Sequence, residues 1–329
     1  MSRTIMRMTT MKTKILPAIL ILLGFFQPTF SQVTEAEKQL KTQAADTLQD
    51  WKTGGVIALT LAQTSLTNWA AGGQNSMATN GLFSVFANYR EGNTAWENSL
   101  DLGYGILKQG KDATRKTDDK IDILSKYGRS AFTSTYYAVL LNFKTQMTPG
   151  YNYPNDSVKI STFFAPAYLL GAAGLDYKPN DYFGAFVAPV TGKMTIVNDE
   201  ALADAGAFGV SPASYDNAGA LVRHGKKTRT ELGGYCRFIF TRNDIQNEFL
   251  RNISFTTKLD LFSNYLHNPQ NVDVNWETQI AFTVNKYIAV NFNTQLLYDD
   301  DVKIVDANGD VGPRTQFKEI LGIGFSYKL

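Results

Sequence analysis

The chain reads as an all-β protein, a transmembrane antiparallel up-and-down β-barrel of about twelve strands. Three observations predict this. Thr315 to Leu329 alternate in polarity to the last residue: Leu321, Ile323, Phe325, Tyr327 and Leu329 share one face, and Gln316, Lys318, Gly322, Gly324, Ser326 and Lys328 the other. The chain opens on an export signal, in which Lys12 and Lys14 precede an apolar run from Ile15 to Phe26 and then Thr29, Phe30 and Ser31. Between these ends, alternating segments are joined by connections that are short and long in turn, as the inner turns and outer loops of a membrane barrel are.

In order along the chain, residues 1–31 are the expected signal peptide, with cleavage after Ser31 and Met11 as a possible true start. Its apolar run is about a dozen residues, short of the roughly 20 that span a bilayer as a helix. Residues 32–52 are polar and form the expected periplasmic lead-in, and 53–329 form the barrel. The predicted strands are Val56–Ser65, Gly81–Arg90, Thr94–Lys108, Asp118–Tyr127, Thr133–Met147, Ser161–Tyr177, Tyr182–Val197, Lys226–Thr241, Ile253–Leu266, Val272–Asn285, Ile288–Asp299 and Thr315–Leu329. Pro166 and Pro189 fall inside two of them, which a strand tolerates only at a bulge or where pairing lapses. Two connections depart from the length rule: Arg242–Asn252 is long for an inner turn and His267–Asn271 short for an outer loop.

Aromatics gather at the proposed inner ends: Tyr89, Trp96, Tyr127, Tyr137, Tyr177, Tyr182, Phe240, Tyr287 and Tyr327. Their apolar rings and polar tips suit the headgroup interface, so they predict a girdle there. Composition agrees with a folded, membrane-embedded chain. Hydrophobic residues make up 44%, too many for disorder, and a net charge of +2 gives no electrostatic footprint for nucleic acid. Cys236 is the single cysteine, which excludes an intramolecular disulfide and, this far from the signal, a lipoprotein anchor.

The segment Trp51 to Ser76 carries Trp51, Gly54 and Gly55, then Asn68, Trp69, Ala70, Ala71, Gly72 and Gly73. These W-x-x-G-G and N-W-A-A-G-G elements resemble the opening of a domain-of-unknown-function family of outer-membrane β-barrel proteins. The resemblance implies location and fold, and it supplies no catalytic residue, ligand or solute.

Alternation sorts the charges. Phase carried from the clearer strands puts Glu97, Asp101, Lys144, Arg229, Glu231, Arg237, Lys258, Asp260, Glu277 and Lys318 inside the lumen. Both signs occur in similar number, which predicts a salt-bridged lining with weak ion selectivity. Trp69, among small residues, is the candidate for a loop folded inward as a constriction, against the plainer role of a packed loop anchor. No enzyme activity, cofactor or metal is expected. His267, with Asp260 on the same strand, lacks a nucleophile placed by spacing. Asp306, Asn308 and Asp310 have the one-three-five spacing of calcium ligands, but Val311 stands where a glycine is needed and no Glu stands at the twelfth position, where the last strand has begun. Lys111, Arg115, Lys116 and Lys120 form a basic cluster assigned to an outer loop, beside anionic lipopolysaccharide.

The sequence therefore predicts a multi-pass barrel of a Gram-negative outer membrane with both termini periplasmic. The expected function is passive passage of small polar solutes; the alternatives are a scaffold for an envelope assembly and a barrel-embedded hydrolase. Expected partners are membrane lipid and lipopolysaccharide, the barrel-assembly machinery during insertion and an envelope protein, and no nucleic acid.

Overall fold

In the computed structural model, residues 50–67, 73–153, 155–242, 252–285, 288–305 and 309–328 are described. Twelve antiparallel strands close into one barrel: β1 (Asp50–Thr64), β2 (Ser76–Glu91), β3 (Thr94–Gln109), β4 (Arg115–Phe132), β5 (Thr135–Thr145), β6 (Ala167–Tyr177), β7 (Phe183–Ile196), β8 (Thr228–Arg242), β9 (Ile253–Asn264), β10 (Val272–Thr283), β11 (Ile288–Tyr298) and β12 (Gln316–Lys328). Each strand pairs with its neighbours in sequence, and β12 returns to β1 with Val56 opposite Lys328 and Leu61 opposite Ile323. Closure leaves no free sheet edge around the ring, the condition for a sheet to survive in hydrocarbon.

Lipid exposure explains the alternation. Leu59, Ile123, Val139, Leu141, Val187, Leu232, Phe282, Leu321 and Ile323 all face outward and exposed. In a water-soluble protein these side chains would be the core, whereas here they form the apolar belt of a transmembrane barrel. Toward the short-turn end the belt gives way to aromatics. Trp51 stacks at 5.3 Å on Tyr89 and 5.7 Å from Trp96, and Tyr127, Tyr137, Tyr177 and Phe240 are exposed. Tyr287 and the side chain of Tyr327 lie outside the described residues, as do the signal and the lead-in up to residue 49.

Three departures from the sequence expectation have a local cause. β1 begins at Asp50 rather than Val56, because Gly54 and Gly55 continue the ladder opposite Phe86 and Val85 instead of turning. The expected strand Ser161–Tyr177 is divided: Lys159–Ser161 pairs with Gly150–Tyr151 in a loop hairpin, and β6 starts after Pro166, whose peptide bond is cis. Pro189 sits in a bulge of β7, where the register slips on both sides, between Gly233 and Tyr235 of β8 and between Ala173 and Leu175 of β6. A proline has no N–H to donate, so the ladder yields there. Gly174 of β6 lets this bulge approach: a Cβ on it would stand 2.0 Å from the Val187 carbonyl oxygen.

The long connections are partly folded. Residues 197–227 hold a short helix, α1 (Glu200–Asp204), N-capped by Asp199, whose side chain accepts from the Leu202 N–H. Leu202, Ala203, Val197, Val210 and Ala165 form a small apolar core that ties this loop to residues 146–166. Lys159 to Asp199, at 2.6 Å, clips the same two loops together.

Candidate functional site

The lumen is the place where this chain concentrates polar chemistry, and it is unevenly filled. On the β5–β9 side, Ala138, Leu140, Ala172, Phe186, Ala188, Tyr235 and Phe262 point inward and pack into a buried apolar cluster. Those strands are apolar on both faces, one toward lipid and the other toward this plug. Beside it lies a cavity of about 290 Å³, lined by every barrel strand except β6 and β7. That volume holds on the order of 20 waters, at roughly 10–15 Å³ of such space each.

The charges lie in three tiers along the barrel. Nearest the short turns, Lys126 of β4 bridges Glu97 of β3 at 3.0 Å and Asp176 of β6 at 2.8 Å. Lys178, in the turn after β6, reaches back to Asp176 at 3.2 Å and also to Glu97. Arg90 bonds the Tyr136 hydroxyl and lies over its ring. Lys126 and Asp176 retain only 9% and 4% of their side-chain exposure, so this ion-paired cluster is enclosed.

In the middle tier, Asp122 takes Lys144 at 3.6 Å and Lys120 at 3.7 Å, and it accepts from Asn142. Glu277 takes Lys258 at 3.0 Å and Lys120 at 3.9 Å. Arg237 grips Asp260 through Nε at 2.6 Å and a terminal nitrogen at 3.1 Å, while the Tyr235 hydroxyl donates to the same carboxylate. Ser84 donates to Asp101. In the tier toward the long loops, Lys193 of β7 meets Asp273, Asp299 and Glu231 at 2.6, 3.4 and 3.7 Å. Arg229 meets Glu231 at 2.7 Å and Asp301 at 2.9 Å. Lys318 reaches across to Asp118 at 3.0 Å and keeps 44% of its side-chain surface open, which marks this end as wet.

Of the predicted lining residues, Glu97, Asp101, Arg237, Lys258, Glu277 and Lys318 line the cavity, Lys144 and Asp260 pair with charges of the middle tier, and Arg229 and Glu231 lie toward the long loops. Lys120, Asp122, Lys126, Asp176, Lys178 and Lys193 join them and were not on the predicted list. Lys120, Asp122 and Lys126 alternate with Ile121, Ile123 and Tyr127, a signal obscured by assigning Lys120 to a loop cluster. That cluster resolves otherwise: Lys116 bonds Asp119 and the Thr148 carbonyl, Arg115 pairs with Asp112, and Lys120 is luminal. Lys193 enters the lumen because the bulge at Pro189 reverses the phase of β7, burying Ala188 and then Thr191.

Trp69, Asp306 and Asn308 lie outside the described residues, and Asp310 is exposed. The neighbouring acidic turn is already engaged, Asp299 by Lys193, Asp300 by Asn271 and Asp301 by Arg229. Asp260 is held by Arg237 and Tyr235 inside the barrel, while His267 is exposed in the connection after β9. Outside the barrel, His224 lies 2.9 Å from Asp204 and 3.7 Å from Glu200, the group among the described residues compact enough to share an ion. The hydrogen bond to Asp204 raises the pKa of His224, and the backbone N–H of Gly225 lowers that of Asp204.

Residues 61–151 match the model of a family described as "Protein of unknown function (DUF3078)". The match covers the N-W-A-A-G-G element and begins after W-x-x-G-G, in line with the resemblance drawn from that opening. No curated protein matches the chain. Among solved structures it is similar to an outer membrane channel from Pseudomonas putida F1, at 10% identity over 87% of this chain and 99% of that one, with a TM-score of 0.40. It is similar to the translocator domain of the autotransporter NalP from Neisseria meningitidis, at 9% identity over 89% and 92%, with a TM-score of 0.32. The third is OprB from Pseudomonas putida, at 8% identity over 85% and 94%, with a TM-score of 0.33.

Proposed function

We propose that the protein is a narrow, weakly selective passage for small polar solutes of no net charge across the outer membrane of a Gram-negative bacterium, with its short turns periplasmic. The lining of the cavity carries this reading. Glu97, Asp101, Asp118, Asp122 and Glu277 are matched by Lys120, Lys126, Arg237, Lys258 and Lys318, five acids against five bases. A balanced lining sets up no net field to concentrate either ion sign, yet it offers hydrogen bonds to a polar or zwitterionic molecule.

The tier of Glu97, Lys126, Asp176 and Lys178 is the constriction, since its four side chains close on one another in a single ion-paired cluster. Solute entering from the long-loop end reaches the cavity past Lys318 and Asp118 and leaves when this tier parts. Planar-bilayer recordings test the reading. Small conductance steps with near-equal cation and anion permeability are expected, and strong preference for one ion sign would oppose it.

A second reading, a scaffold for an envelope partner, is favoured by the exposed apolar side chains of the long loops, Ile160, Phe163, Tyr215 and Val222 among them. Its test is a pull-down with detergent-solubilised envelopes, and recovery of no stable partner would count against it.

A further inference from the structure

The closing seam is the shortest ladder in the ring where it matters most. β1 and β12 share six residue pairs, whereas β1 and β2 share fifteen and β11 and β12 share ten. Pairing stops at Leu61 opposite Ile323. Beyond it, Ala62–Thr64 pair with β2 alone and Gln316–Gly322 with β11 alone, so two strand edges face each other unpaired toward the long-loop end. On the outer side of this stretch Leu321 is 67% exposed and Phe317 62%, with the exposed Glu319 between them. Backbone donors and acceptors left unmade at that depth need polar company, which hydrocarbon does not supply and the lumen does.

Immediately inside lies the cavity. Thr60 of β1 and Ile320 of β12 flank the seam and line it, with Asn80 of β2 and Asn291 of β11 behind them. The wall itself is thin, for Thr60 packs so closely over Gly322 that a Cβ there would stand 2.1 Å from its methyl. Asn80 and Asn291 each carry a buried side-chain oxygen with no hydrogen-bond donor among the described residues. The site thus pairs two acceptors and a charge-balanced polar cavity with an apolar rim, across a gap that lacks ladder bonds.

We propose that the β1–β12 seam is a lateral portal through which a single-chain zwitterionic amphiphile lodges its headgroup in the lumen and leaves its acyl chain in the outer half of the bilayer. This rests on the reading of the lumen as a solute path and names a further class of solute for it. An ammonium headgroup would donate to the Asn80 and Asn291 oxygens, and its phosphate would meet the lysines of the cavity. The acyl chain would lie along Leu321 and Ile323, away from the Glu319 carboxylate.

The test uses full-length protein in phospholipid vesicles with lysophosphatidylethanolamine carrying a diazirine on its glycerol unit, which leaves the ammonium free. Cross-linked peptides are mapped by mass spectrometry, and conductance is recorded on the same preparation. Leu61 and Ile323 are direct cross-strand partners, at a spacing that a disulfide accepts. In a Cys236→Ser background, oxidised Leu61→Cys/Ile323→Cys should lose labelling of the peptides holding Asn80 and Asn291, regain it on reduction, and keep its conductance.

Gly322→Ala should act in the opposite sense, wedging the seam and raising that labelling, with Thr60→Ala added to it restoring the original level. Luminal labelling that survives the cross-link overturns the portal, and so does labelling confined to the outer belt in the unmodified protein. Absent conductance with cross-link-sensitive labelling would instead overturn the channel and leave the portal standing.

Discussion

Arg237 and Asp260 show what a buried charge requires. Both are almost fully enclosed, and Asp260 is satisfied by two bonds from Arg237 and one from Tyr235. Arg237→Met leaves the buried Asp260 carboxylate with Tyr235 but without its ion-pair partner and is expected to destabilise the barrel by about 3–5 kcal/mol. The double variant Arg237→Met/Asp260→Leu should recover most of that loss, because no charge is then stranded; denaturant unfolding in micelles measures both. His224 makes a pH-dependent contact outside the membrane. Its pKa is raised in the fold, so its bond to Asp204 contributes fully below the ordinary imidazole value of about 6.5 and is lost as pH rises through the folded value. Asp204 is shifted down, so its contribution is present above the ordinary carboxylate range and is lost as pH falls through its folded value. The 197–227 loop should therefore resist protease best at mildly acid pH and less in alkali, and His224→Ala should flatten the alkaline limb. Limited proteolysis across pH reads this directly.

At the scale of elements, the strands were legible because lipid on one side and polar groups on the other impose a period of two. β10 and β11 announce it plainly, with Trp276, Ile280 and Phe282 against Glu277 and Gln279. β5 and β7 do not, since Tyr136 to Leu141 and Phe183 to Val190 are apolar on both faces. That absence of alternation was itself the sign of the apolar plug. Phase failed where the register slips, and Pro189 is the residue that marks the place. The loops were the least legible part, because α1 and its small core depend on contacts between residues 146–166 and 197–227 that no local pattern encodes. Gly174 gives a test at this scale. A side chain there meets backbone rather than a movable group, so Gly174→Val should cost about 2–3 kcal/mol and weaken the heat-modifiable band on semi-native gels. Unchanged heat-modifiability would mean that the bulge is not held as described.

The whole molecule is a closed sheet whose interior is divided between a packed wall and a wet cavity. The division explains why luminal charge alone did not reveal the pore. The charged positions could be read from alternation, but how much space they leave depends on Leu140, Phe186, Tyr235 and Phe262 packing along one wall of the barrel. In the proposed reading as a passage, the barrier falls at the short-turn end, where Glu97, Lys126, Asp176 and Lys178 close on one another. Single-channel recording of the wild type beside Lys126→Ala/Asp176→Ala tests this most directly, because the pair removes one charge of each sign and opens the constriction without changing the net field. Small steps for the wild type and several-fold larger ones for the variant, both weakly selective, are the predicted result. Equal conductance in the two, or none above the protein-free bilayer in either, would contradict it.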